Sequence, residues 1–101
     1  MKPVDRRKLM AAIRRSCDDA GLEIEEDPDA GSGSHGSLLF SEPQSGRRLR
    51  VVIVYAREIS PGVQRGILQS LAQRAESDRL DAGLRAFAQR VHDLLEAIFD
   101  A

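Results

Sequence analysis

The sequence predicts an α+β domain, and three observations carry that reading. Apolar residues recur at spacings of three and four near the N-terminus and again after residue 60, the period of helices with one buried face. Between those segments lie short runs that alternate apolar with polar residues or are rich in β-branched side chains, as strands are. At 101 residues the chain has room for a single modest core and no second one.

The elements follow in order. Pro3 to Ala20 reads as a helix, with Leu9, Ala12, Ile13, Cys17 and Ala20 on one stripe and most of the arginines and lysines off it. Gly21, free to take positive φ, stops it. Leu22 to Glu26 alternates as a short strand with one wet face. Asp27 to Gly36 is a polar, glycine-rich loop with the composition of a mobile one. Ser37 to Ser41 is the second strand, and Pro43-Gln44-Ser45-Gly46 turns the chain into the third, Leu49 to Ala56. That third strand alternates Leu49, Val51, Ile53 and Tyr55 with Arg50, Val52, Val54 and Ala56, so it is apolar on both sides and calls for cover on both.

Ser60-Pro61 opens a helix, serine as cap and proline at the first helical position, with Val63, Ile67, Leu68, Leu71 and Ala75 in one stripe. Ser77 is the expected cap of a last helix reaching about Phe99. Leu80, Leu84, Phe87, Val91, Leu94 and Ile98 alternate spacings of four and three along it, the seam of a helix that pairs with another helix. That partner is either a helix of the same domain or the same helix of a second chain. The organisation expected is one domain, with residues 1–76 as an α-β-β-β-α unit and residues 77–101 as an amphipathic helix packed on it or dimerising.

Composition narrows the function classes. Cys17 is the single cysteine, so no internal disulfide forms, which suits a reducing, cytoplasmic setting. One cysteine with two histidines falls short of a zinc site built from those residues alone, and no metal or cofactor is expected. The longest apolar run, Val51 to Ala56, is too short to span a membrane. Net charge is −1, so the overall basic excess typical of nucleic-acid binders is missing. Basic residues gather locally instead, at Arg6–Lys8, Arg14–Arg15 and Arg47–Arg50.

The stretch Gly31 to Phe40 stands apart. It runs from a glycine/serine approach through His35 into the first strongly apolar strand, placing a group that titrates near neutrality where a loop becomes a strand. Gly33-Ser34-His35 there, Phe40 beyond it, and Glu58-Ile59-Ser60-Pro61-Gly62-Val63 with Gly66-Ile67-Leu68 after the third strand come in a set order. Together with Lys8-Leu9 and Gly21 ahead of the first strand, they resemble the HicA family of bacterial toxin–antitoxin systems. The resemblance covers roughly residues 5–75. It implies a double-stranded-RNA-binding-like α-β-β-β-α fold, here with an additional C-terminal helix. It also implies a small endoribonuclease (an mRNA interferase) with RNA as substrate and a HicB-like antitoxin as partner.

RNA cleavage without a metal uses the 2′-hydroxyl as nucleophile, a general base, cations at the phosphate and an acid for the leaving oxygen. His35 is the expected catalytic base and acid. Ser34, Ser37, Arg47, Arg48 and Arg50 are the expected RNA- and phosphate-binding residues, since alternation puts His35 and Ser37 on one side of their strand and Arg50 on the corresponding side of the next. The alternative from a different class is a non-catalytic RNA- or protein-binding domain on the same fold, homodimeric through the last helix. If the third strand is apolar on both sides, that helix is a candidate to lie across the sheet and block the site.

Overall fold

Five strands and three helices follow one another in the computed structural model, which describes residues 1–27, 35–54 and 56–101. The chain is α+β. β1 (Val4–Asp5) leads into α1 (Arg6–Ala20), and β2 (Glu23–Asp27), β3 (His35–Glu42) and β4 (Arg47–Val54) then form a three-stranded antiparallel sheet in sequence order. β5 (Glu58–Ile59) pairs antiparallel with β1, and α2 (Pro61–Ala75) and α3 (Ala82–Phe99) close the order. The glycine-rich loop, apart from its two ends, and Tyr55 lie outside the described residues.

Local chemistry sets most boundaries. α1 starts at Arg6 and not at Pro3, because the Asp5 carboxylate accepts from the Lys8 amide as N-cap while Val4 and Asp5 are spent on the ladder with Ile59 and Glu58. The same bond holds the Asp5 carboxyl below its usual range. α1 ends at Gly21 with φ of 72°, whose amide donates to the Asp18 carbonyl while Leu22 donates to that of Cys17. α2 begins as expected, with Ser60 Oγ accepting from the Val63 amide at 3.2 Å. α3 does not start at Ser77. Asp81 caps it through the Leu84 amide at 2.8 Å, and Leu80 falls in the preceding turn. A carboxylate accepts that bond better than a hydroxyl, and Ser77 instead supports the turn through the Arg79 amide.

All three helices share one core with one face of the sheet. Leu38, Phe40, Leu49, Val51 and Ile53 supply the sheet side, packed with Leu9, Ile13 and Cys17 of α1, Ile67, Leu68 and Leu71 of α2, and Phe87, Val91 and Leu95 of α3. The apolar seam of the last helix is therefore used inside the molecule. Phe87 and Val91 are buried, Leu84, Leu94 and Ile98 pack partly buried against the core, and the fully buried set drifts to Ala88, Leu95 and Phe99. That drift is what a straight helix of 3.6 residues per turn does to a seven-residue pattern.

The expectation of cover on both faces is corrected. Val52 is 60% exposed and Arg50 is exposed, so no described element lies over β4 on that side, and α3 is part of the core and not a lid. The valines misled because a β-branched residue suits a strand for backbone reasons whether or not its face is covered.

Candidate functional site on the open sheet face

Register defines the open face residue by residue. Directly paired residues of an antiparallel sheet share a face, so the rows are Glu23–Ser41–Arg48, Glu25–Leu39–Arg50 and Asp27–Ser37–Val52, followed by His35 paired with Val54. The rows between them, Ile24–Phe40–Leu49 and Glu26–Leu38–Val51, belong to the core side. The open face is acidic along β2 and basic along β4.

Its best-defined contact joins Arg50 to Ser37, whose hydroxyl accepts from Arg50 Nη1 at 2.6 Å. Ser37 is 2% exposed although it belongs to the open face, and the guanidinium that bonds to its hydroxyl belongs to an exposed residue. The bond fixes one arm of the fork and leaves the other donors of Arg50 for a ligand. Ser37 stands two positions from His35, about 7 Å along the strand. Ser34 and the side chain of His35 lie outside the described residues; the His35 backbone is the first residue of β3.

Arg48 is exposed at the β4 end of the first row. Arg47 is not brought to this face. It extends from the core side of β4, where Nη1 is 3.6 Å from Glu42 Oε1 and the guanidinium lies against Gly83 of α3. Glu42 is the hub of that second group. It takes a short bond of 2.5 Å from Ser45 Oγ and one of 3.0 Å from Arg90 Nη1, and these, the serine first, hold its carboxyl below the usual range. Nothing singled out Glu42 in the sequence, although it and Arg47 flank the Pro43–Gly46 turn and are each other's partners in the ladder.

His92, Asp93 and Cys17 are off this face. His92 Nδ1 sits 2.9 Å from Asp93 Oδ1 on α3, which with a bond from Gln89 lowers the Asp93 carboxyl. Burial pushes the Cys17 thiol up to about 11, so it stays protonated and unreactive at neutral pH. No helix among the described residues is long and apolar enough to cross a membrane. Comparison with protein-family models, with curated proteins and with solved structures finds no match.

Proposed function

We propose that the chain is a HicA-like endoribonuclease that cleaves RNA with His35 as general base and acid and Arg50 as phosphate ligand. The carrying observation is the Arg50–Ser37 bond on the open face, in a strand whose first residue is His35. The order α1, β2–β4, α2, with the helices on one side and a free sheet face on the other, supports a double-stranded-RNA-binding-like arrangement to which α3 has been added.

In this reading a phosphodiester settles against the free donors of Arg50, with Arg48 further along β4. His35 takes the proton of the 2′-hydroxyl as that oxygen attacks phosphorus. Arg50 offsets the charge that builds on the non-bridging oxygens, and the protonated imidazole returns its proton to the departing 5′-oxygen. Need for a 2′-hydroxyl restricts the substrate to RNA. An antitoxin covering this face would silence the site.

One observation favours the second reading, a binding domain without catalysis. Glu23, Glu25 and Asp27 line the β2 side of the same face and repel a polyanion that lies across it. A structured RNA incubated with the protein in EDTA decides between them. Cleavage that falls about 10²- to 10⁴-fold in His35→Ala supports the nuclease. Cleavage undiminished in that variant ends it, and salt-sensitive binding without cleavage selects the second reading.

A further inference from the structure

A surface that borders the open face and shares Arg48 and Arg50 with it has the build of a strand-docking groove, and that build does not rest on the nuclease reading. The strand order β2-β3-β4 leaves β4 with one edge that no described strand pairs with. The Arg50 carbonyl accepts from Arg74 Nη1 of α2 at 2.5 Å, so it points away from β3. Strand backbone repeats every second residue, so Arg48, Val52 and Val54 turn their N–H and C=O groups the same way. Only the Arg50 carbonyl has its edge capped by a described hydrogen bond.

Beside that edge runs a groove of about 300 Å³ between β4 and α2, with Val51 on its helix side, Val52 and Val54 at its open-face rim, and Val63, Gly66 and Ser70 on the wall formed by α2. The helix residues recur at three and four, so they form one face. Gly66 widens the groove, since a Cβ there would have open space around it. Val52, at 60% exposure, is with Met1 one of two exposed large apolar side chains among the described residues. No carboxylate lines the groove; Arg74 closes one end, and Arg48 and Arg50 flank the edge on the open face.

We propose that this groove takes an extended segment of a partner protein, added to β4 as a fourth strand and alternating apolar with acidic residues. An added strand sends alternate side chains to opposite faces of the sheet. Those on the helix side enter the groove beside Val51, Val63 and Gly66, and those on the open side lie along the row of Arg48, Arg50, Val52 and Val54, where carboxylates match the two arginines and lysines do not. The other occupants fit less well. A second copy joined β4 to β4 would gather Arg48 and Arg50 of both chains on one face with no β4 carboxylate to offset them. RNA offers neither a ladder of amides to the edge nor apolar side chains to the groove.

The test titrates the ¹⁵N-labelled chain with an acetylated, amidated hexapeptide of alternating valine and glutamate. Amide shifts are expected at Arg48, Arg50, Val52, Gly66 and Ser70, and they weaken as salt is raised to about 1 M. The valine–lysine peptide should bind at least about tenfold more weakly, as should Ser70→Trp or Gly66→Leu, either of which fills the groove from the solvent side. Equal response to both peptides, shifts confined to β2, or unchanged affinity in whichever of the two variants melts like the parent overturns the proposal. Concentration-dependent shifts of the same amides without peptide would assign the groove to a second copy, and their perturbation by an RNA oligonucleotide would assign it to RNA; each refutes a protein strand as occupant. The outcome is separable from the nuclease question, because cleavage responds to His35→Ala and peptide binding is read with no RNA present.

Discussion

Replacing Phe87 by alanine tests whether α3 is part of the core or an appendage that pairs with a second chain. Phe87 is 2% exposed, in the cluster that joins α3 to α2 and the sheet. Removing a buried ring from a site that cannot close around the space costs about 3–5 kcal/mol. For 101 residues the unfolding entropy is about 0.2 kcal/mol per kelvin, so the melting temperature should fall by about 15–25 °C. Against a total stability of about 5–15 kcal/mol, that is enough to leave the variant partly unfolded at physiological temperature. Urea and thermal unfolding followed by circular dichroism give both numbers. Repeating them over a hundredfold range of protein concentration, with Leu84→Lys alongside, separates the readings, because an intramolecular core melts independently of concentration. A loss below about 1 kcal/mol for Phe87→Ala, or a parent midpoint that climbs with concentration, would refute the assignment of α3 to the core.

Two further outcomes follow from the boundaries and charges. The Glu42 carboxyl titrates below its ordinary 4.5 in the folded chain, so its contribution is complete above that value and drains away as pH falls through the folded pKa. Glu42→Gln should therefore flatten the acid limb of a stability-against-pH curve and leave its slope above neutrality unchanged; an identical acid limb contradicts the cluster. Gly21→Ala places a Cβ at φ of 72° with nothing nearby to strike, so only backbone strain of about 1–2 kcal/mol is expected in the urea midpoint, and a stabilised variant would show that α1 does not end in the left-handed conformation.

Much of the fold could be read from period and punctuation. Gly21 ends α1 and Ser60-Pro61 opens α2 because one residue suffices for each boundary. What escaped depends on residues far apart in the chain. The β1–β5 ribbon has two residues per strand, too few for alternation to register, and together with the Asp5 cap it sets the start of α1. Gln64 of α2 is a polar side chain that the sequence does not single out. It is 0% exposed, its Nε2 donating to the Lys2 and Ile59 carbonyls at 2.7 and 3.0 Å, and so ties the N-terminal segment to the helix. The Ser37–Arg50 contact was legible from parity, since positions on neighbouring antiparallel strands share a face by counting. The departure of Arg47 from that face follows from the same count, but two adjacent arginines in a basic run read as one patch until the register separates them.

The opposed borders of the open face have a directional consequence. Carboxylates run along β2 and guanidinium groups along β4, about 10 Å apart across two strand spacings. The potential thus reverses sign within roughly one screening length at physiological salt. A long polyanion drifting toward this surface feels a torque as well as a pull, and it comes to rest lengthwise on the arginine margin. Added electrolyte erases that alignment before it erases contact, so orientation is the first property of such an encounter to be lost.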